Sequence, residues 1–448
     1  MRRRLVLFAF LSASLCRPAP GQTPAAEIVL EHATLIDGTG APPRKDVRIT
    51  IGGGRILSID RSTLKTENPT PGVRIIDATG EFLIPGLWDM HVHLDPQGSE
   101  LRTLAAKGIT GIREMYSAIP IATLAAWRAR PENPRIAAAG FLDGPLMLTS
   151  GPARPDAFAV GGGEEARRAV QLLQARGADF LKVYSGLPRE AYFAIAEESK
   201  RLGLPYAGHV PEAVSPAEAS EAGQHSQEHL INILLACSSR ESDLRAQRIA
   251  TMNDPAISPV ERALELGFPD PMGLFDSYDD SKAAALFKTF VRNDTWHTPT
   301  LVLLQGFLQD KDRARRLLYM QDLSPEVFDG WMARISALLD RYKKLVRDMH
   351  SAGVEFLAGT DTSPANPVPV GIGLHDELEL LVESGFTPME ALQTATRNPA
   401  RYFGRLKDMG TIEQGKLADM VLLSANPLDD IRNTRKISVV ILRGKIAK

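Results

Sequence analysis

Two histidines two residues apart, His91 and His93, stand in the segment Leu87-Trp88-Asp89-Met90-His91-Val92-His93-Leu94. On an extended strand, residues i and i+2 point to one face, so both imidazoles can reach a single cation. Alone the pair is a weak signal, because two satisfied interior histidines have the same spacing. Four further residues of ligand type stand in or at the ends of other apolar stretches. They are Lys182 in Phe180-Leu181-Lys182-Val183-Tyr184, His209 in Ala207-Gly208-His209-Val210, His229 in Glu228-His229-Leu230 and Asp361 in Gly359-Thr360-Asp361. A cation inside so apolar a stretch as that around Lys182 is costly unless it is paired or neutralised. Either this lysine snorkels from an edge or forms an ion pair, or its lowered pKa frees a neutral amine for carbon dioxide. The carbamate so formed would be an anion able to bridge two divalent cations. Four imidazoles and two oxygen anions suit a borderline cation such as zinc, with a coordination position left for water.

Such a set can meet only if the six stretches end together. The middle of the chain alternates strand-like and helix-like segments, with strands expected at 86–94, 109–115, 135–141, 179–185, 204–210, 223–230, 296–304 and 354–361. Helical periodicity falls between them, as at 164–175 and 189–201. Eight strands each followed by a helical segment predict an α/β fold, a (β/α)8 TIM barrel over residues 85–404, whose active site lies at the carboxyl ends of the strands. All six ligand-type residues fall at or near that end. The stretch 232–294 is far longer than an ordinary barrel loop and is expected to cover the mouth after the sixth strand. Short extended runs with Gly and Pro punctuation at 22–84 and 405–448 predict a small β-sandwich domain built from both termini. Tyr184 shares a strand face with Lys182 and is a candidate substrate contact. His375 follows the eighth strand closely enough to be another, and Arg113 and Tyr116 near the second strand are similar. His32, His297 and His350 read as structural.

At this point the chain resembles the amidohydrolase superfamily, with His91-x-His93, Lys182, His209, His229 and Asp361 matching its binuclear metal pattern. More narrowly, it resembles the branch of Xaa-Pro and related dipeptidases, imidazolonepropionase-like proteins and ochratoxin-hydrolysing amidohydrolases. The phrases Leu83-Ile84-Pro85-Gly86-Leu87-Trp88-Asp89-Met90-His91 and Gly410-Thr411-Ile412-Glu413-Gln414-Gly415-Lys416-Leu417-Ala418-Asp419 carry that resemblance at the two ends. It implies two divalent metal ions, zinc by preference. His91 and His93 would hold the buried ion and His209 and His229 the more exposed one, with Lys182 carboxylated between them. Asp361 would bind the first ion and move protons while a metal-bridging hydroxide attacks an amide or peptide carbonyl. The implied substrate is a small molecule such as a dipeptide or an N-acyl amino acid, with a cyclic amide as the alternative. His225 departs from the resemblance, standing where relatives often carry an acidic or other polar residue.

Two competing readings come from the same residues. His225-Ser226-Gln227-Glu228-His229 matches H-x-x-E-H, the inverzincin signature, in which both histidines share a helical face and Glu acts as base. That reading leaves His91, His93, Lys182 and Asp361 without a role. A non-catalytic binding protein that kept only the barrel is the other, and its usual mark is a missing ligand; none of the six is missing.

Composition sets the outer bounds. Among 448 residues, 44% are hydrophobic and 24% charged, with a formal net charge of −2, the balance of an ordinary globular protein. No basic tract beyond Arg2-Arg3-Arg4 points to a nucleic acid. Those arginines, the apolar run 5–15 and the small residues Ala19 and Gly21 read as a signal peptide over 1–21, hence export to the periplasm or medium. The apolar run is about half the ~20 residues that a spanning helix needs, so no stable membrane span is expected. With Cys16 removed, Cys237 would stand alone without an internal disulfide. A homo-oligomer is compatible with all of this.

Overall fold

The computed structural model describes residues 25–62, 72–146, 154–257, 262, 266, 271–317, 320–321 and 323–447. The expected signal peptide at 1–21 lies outside them. The fold is α/β: a nearly closed parallel barrel carrying a separate sheet made by the two ends of the chain.

Alternation builds the terminal sheet. In Arg44–Gly52, Val47, Ile49 and Ile51 are buried while Arg48 and Thr50 between them are half-exposed. The hairpin to Arg55–Arg61 turns on Gly53 and Gly54, both at positive φ (57° and 72°), the conformation a tight hairpin demands. The order across the sheet runs Lys445–Ile446, Ile437–Leu442, Met420–Leu423, Phe82–Pro85, Ile28–Leu35, Arg44–Gly52, Arg55–Arg61, and Arg74–Asp77 pairs with the start of Ile28–Leu35. Leu30, Ile49, Ile51, Leu83, Met420 and Leu422 share one core within it. Met420–Leu423 pairs antiparallel with Phe82–Pro85, which joins the two termini and leads directly into the first barrel strand.

Seven barrel strands follow in register, all parallel: Leu87–Val92, Ile109–Glu114, Arg135–Asp143, Phe180–Val183, Tyr206–Gly208, Ser226–Glu228 and Trp296–Thr298. Helices such as Gly163–Ala175 pack outside, burying Ala166, Ala169, Val170 and Leu173 at helical spacing. Two strand expectations need correction. The seventh strand stops at Thr298, and Leu301–Gln309 is a helix. Thr300 turns left-handed at φ 50° and ends the extended run, and a short apolar stretch like Leu301-Val302-Leu303-Leu304 carries no periodicity that separates strand from buried helix. The eighth segment, expected as a strand at 354–361, forms no regular ladder. It closes the gap through isolated bridges, Phe356 to His297 and Thr362 to Val92, and through Met90 N–H donating to the Ala358 carbonyl at 2.9 Å.

The long insertion is also shorter than 232–294. Asp280–Arg292 is a barrel helix that buries Ala283, Leu286, Phe287 and Phe290, so it belongs to the barrel's outer layer. Before it, Glu241–Asn253 is pinned beside the loop after the fifth strand, where Arg248 binds Glu212 through two N–H···O contacts of 2.8 and 2.9 Å. Cys237 is a buried free thiol. Among the described residues no helix is long and apolar enough to cross a membrane.

Gly359 shows how tightly the irregular eighth segment is held. A Cβ there would stand 2.5 Å from Thr298 Cγ2 and 2.9 Å from the His91 backbone nitrogen. Gly359→Ala should therefore cost about 1–3 kcal/mol by overpacking, read as a lowered midpoint in thermal unfolding. An unchanged midpoint would show that the segment is free to shift.

Candidate metal centre

The carboxyl ends of the strands bring all six ligand-type residues into one cluster. Asp361 Oδ1 lies 3.1 Å from His93 Nε2 and 3.5 Å from His91 Nε2, and ligand atoms of these three residues lie within 4.8 Å of one another. Lys182 Nζ is 3.4 Å from His91 Nε2. The His229 ring centres 4.4 Å from His91 and 5.0 Å from His209. Close backbone approach shapes the cluster: a Cβ on Gly208 would meet the Val183 carbonyl oxygen at 2.2 Å and Lys182 Cδ at 3.0 Å. His229 and Asp361 hold their side chains from left-handed backbone positions, φ 60° and 55°, which strand ends at a crowded rim impose at a cost.

What surrounds the four imidazoles is uniform. His91 Nδ1 meets Glu228 Oε2 at 2.9 Å, His93 Nδ1 the Tyr116 carbonyl at 2.7 Å, His209 Nδ1 the Ser185 hydroxyl at 2.8 Å and His229 Nδ1 the Thr300 hydroxyl at 2.7 Å. In each ring the same nitrogen is engaged by the protein, which leaves Nε2 toward the cluster. Occupying one nitrogen fixes ring orientation and tautomer, the arrangement found around metal-ligating histidines. Burial, followed by the field of Lys182, holds His91 and His209 well below the usual imidazole value, and burial lowers His229 to about 4. These rings are thus neutral, the form that coordinates. Burial works against the charge on His93 as well, but the Asp361 carboxylate bonded to it outweighs that and raises its pKa. Burial also pushes on the Asp361 carboxyl, yet the combined pull of His229, His93 and Lys182 keeps it below the ordinary carboxylate range. Burial lowers the Lys182 ammonium to about 8. Three neutral imidazoles, a fourth bonded to an ionised carboxylate, and a lysine eased toward its neutral form are donors a divalent cation takes, so the residues fit a metal site.

Two supporting groups escape a sequence reading that looks only for ligands. Glu228, fully buried, accepts both contacts from Arg113 Nη2, at 2.8 and 2.9 Å, and the Ser226 hydroxyl as well. Asp89 accepts from the His91 and Thr360 backbone N–H groups and from the Thr360 hydroxyl at 2.7 Å, so it ties the first strand to the eighth segment. Asp89 left a signal in the sequence as a carboxylate inside an apolar strand that needs a partner, whereas Glu228 stands in the polar run Ser226-Gln227-Glu228.

Several candidates sit elsewhere. His375 is buried with Nδ1 on the Thr434 hydroxyl and Nε2 on the Lys107 carbonyl, both at 3.0 Å; Lys107 precedes the second strand at the barrel's amino end, so this ring does not line the mouth. Arg113 is wholly enclosed and serves Glu228, not a substrate. Tyr184 does lie beside the cluster, stacked on His209 at 3.9 Å. Tyr116 supplies the carbonyl for His93 and donates its hydroxyl to Pro155. His225 stands before the sixth strand and stacks on Tyr402 at 4.1 Å and 14°. Ser226–Glu228 is extended, so His225 and His229 share no helical face and the inverzincin geometry is absent.

A parallel barrel with imidazoles, a lysine and a carboxylate gathered at its carboxyl rim defines a hydrolase scaffold. The amidohydrolase family pattern matches residues 82–447, so the chain belongs to that family and is a hydrolase of carbon–nitrogen bonds. Ochratoxinase of Aspergillus niger is 25% identical over 462 residues, 92% of this chain and 84% of that protein. Imidazolonepropionase of Symbiobacterium thermophilum is 26% identical over 434 residues, 90% and 91% of the two chains. Among solved structures, a Xaa-Pro dipeptidase with methionine bound in its active site matches with a TM-score of 0.68 at 22% identity, covering 94% of this chain and 99% of that one, a likeness of fold.

Glu228→Gln should separate support from ligation. It leaves Arg113 buried without its counter-charge, at about 3–5 kcal/mol, and loosens His91, so metal affinity should fall roughly 10–100-fold. Thermal unfolding and metal titration of the purified variant check both effects; wild-type metal affinity would exclude a positioning role.

Proposed function

We propose that this chain is an exported two-metal amidohydrolase that splits the amide bond of a small acylated amino acid or dipeptide. The observation that carries the reading is the shared engagement of Nδ1 in all four imidazoles by groups outside the ligand set, with Nε2 of His91 and His93 converging on Asp361. His91, His93 and Asp361 would hold one cation and His209 and His229 the other, with zinc as the fitting metal. Lys182 would react as its neutral amine with carbon dioxide, losing one proton to give a carbamate between them. Bound divalent cations would supply a water acidified toward neutrality and a Lewis acid for the carbonyl.

The remaining work belongs to the protein. Asp361 is ionised and 14% exposed toward the mouth, which suits it to take the proton of the attacking water. Asn366 Nδ2 donates to its backbone oxygen at 2.7 Å and to Oδ2 at 3.1 Å, leaving Oδ1 on the side of His93. The same carboxyl then returns the proton to the departing amine, acting first as base and then as acid. Tyr184, whose phenol is kept protonated by burial, would offer a hydrogen-bond donor beside His209. Substrate class draws on the relatives' names, an ochratoxin hydrolase and a Xaa-Pro dipeptidase, and export on the basic and apolar start of the chain.

A panel of dipeptides, N-acyl amino acids and lactams, assayed with zinc-loaded mature protein, tests the proposal. Turnover of the open-chain amides is expected; turnover of lactams alone would transfer the reading to cyclic amides, and none at all would sink it. Asp361→Asn should lower kcat by about 10²–10⁴-fold while much of the metal is retained, and near-normal kcat would reject Asp361 as the proton carrier. Lys182→Ala should lose activity that added short-chain carboxylates partly restore, and no such rescue is expected with Lys182→Met, whose side chain fills the space.

A further inference from the structure

Across the barrel from the imidazoles, at the amino ends of the strands, lies a second cavity of about 520 Å³. Its floor is made where strands begin: Trp88 on the first, Arg135 on the third, Phe180 on the fourth and His225 just before the sixth. Tyr402, Phe403 and Arg405 form the far wall, and Arg443 enters from the terminal sheet. That volume is in the range of a small-molecule site.

Two kinds of side chain dominate the lining. The first is flat and apolar. Tyr402 stacks on His225, and Trp88 and Phe403 meet with ring centres 5.1 Å apart. Burial lowers His225 to about 4, so this imidazole adds a neutral face and no charge. The second kind is cationic, and its charges are unequally met. Arg128 pairs with Asp179 and Arg135 with Asp419, each at 2.7 Å, while among the described residues Arg405 has an outlying Asp408 at 3.4 Å. Arg443 donates Nη2 to the Arg128 carbonyl at 2.7 Å, and its Nε is buried with no partner among the described residues. Burial first, then the field of Arg135, depress this guanidinium below its ordinary value and outweigh the opposing pull of Asp419 and Glu132. A half-buried guanidinium beside like charges is costly as it stands, and an anion in the cavity would relieve part of that cost.

We propose that this cavity is a second ligand site, separate from the metal cluster, for a small flat anion in which an aromatic ring carries a carboxylate. The ring lies against Trp88, Phe403 and the edge of the stacked His225–Tyr402 pair, where face and edge contacts favour an aromatic partner. The carboxylate meets the cavity-facing side of the half-buried Arg443 guanidinium, and Arg405 at the rim adds a second cation. Phosphate alone lacks the apolar body, and an uncharged arene leaves Arg443 as it was.

2-Naphthoate is a suitable probe, titrated calorimetrically into the full-length protein both zinc-loaded and chelator-treated. One equivalent should bind in both states, quenching indole emission, and Trp88→Phe should remove most of that quench. 2-Naphthalenemethanol, of the same shape without the charge, should bind at least about tenfold more weakly, a difference of ~1.4 kcal/mol. Arg443→Gln should weaken 2-naphthoate by a similar factor. Arg405→Gln, a rim substitution that leaves the buried contacts in place, should weaken it less but measurably, and it decides the matter if the Arg443 variant fails to fold. Binding seen only with zinc present would place the probe at the metal cluster and overturn the proposal. No binding at millimolar probe, or an affinity unmoved by either arginine substitution, would overturn it equally.

Discussion

A guanidinium and a carboxylate, neither with any exposure to solvent, face each other at the centre of the barrel. Removing two such charges from water costs several kcal/mol per ion, and their mutual attraction compensates only where geometry is good and every remaining proton and lone pair is used. Arg113 meets that condition: Nε donates to the Met90 carbonyl at 2.6 Å, Nη1 to Ser226 and Tyr402 at 2.8 and 2.9 Å, and Nη2 to both Glu228 oxygens and Thr298. The donors and acceptors come from the first, second, sixth and seventh strands and from the helix Arg397–Tyr402. One ion pair therefore fixes the relative heights of four strands. Through Glu228 it also sets the tautomer of His91, so the ligand cluster inherits its precision from a pair that touches no ligand-binding space.

The barrel's weakest closure is met in the same manner. The eighth segment lacks a ladder, and its place is taken by Asp89, which gathers two backbone N–H groups and a hydroxyl across the gap. Burial raises this carboxyl to about 7, the mark of an acid held where charge is expensive, and the three donors work against that rise. Left-handed residues concentrate nearby at the rim, at Tyr116, His229, Leu230, Thr300 and Asp361. Such backbone costs of order 1–3 kcal/mol each, and it persists because the strands below are over-determined by the central pair and by Asp89. Rim strain and core rigidity are two sides of one arrangement.

That coupling explains what could be read from the sequence and what could not. His91, His93, Lys182, His209, His229 and Asp361 were legible because a ligand type at a strand's end is a local property, and eight such ends share one rim in a closed barrel. Glu228 was visible only as part of a five-residue pattern with His225, since its partner Arg113 stands 115 positions away. Arg113 looked like a rim contact because nothing local tells a strand-borne arginine which way to face. His375 failed for the opposite reason: closeness to Asp361 in sequence implied closeness in space, whereas the intervening chain carries it to Lys107 at the other end. The seventh strand ended early because one left-handed threonine outweighs the apolar run after it, and a single φ is not written in composition.

The two buried cations of the core behave differently, and the difference bears on the chemistry. Arg113 keeps its charge because the guanidinium is delocalised, weakly hydrated and matched in shape to Glu228. Lys182, also fully enclosed, has no carboxylate in hydrogen-bond contact; its nearest polar neighbour among the described contacts is a neutral imidazole nitrogen. Burial therefore outweighs the more distant pull of Glu228 and Asp361 and eases the lysine toward the amine. With Lys182 neutral, the Arg113 and Glu228 charges cancel, and Asp361 remains as an ionised carboxylate bonded to His93. Carboxylation would add a second anion there, and two negative charges among neutral rings in a poorly solvated pocket are unstable without cations. Metal binding and lysine modification would then favour each other, since each would remove the charge imbalance that the other creates. The central ion pair would support this by keeping Glu228, the carboxylate with the largest pull on Lys182, engaged with Arg113.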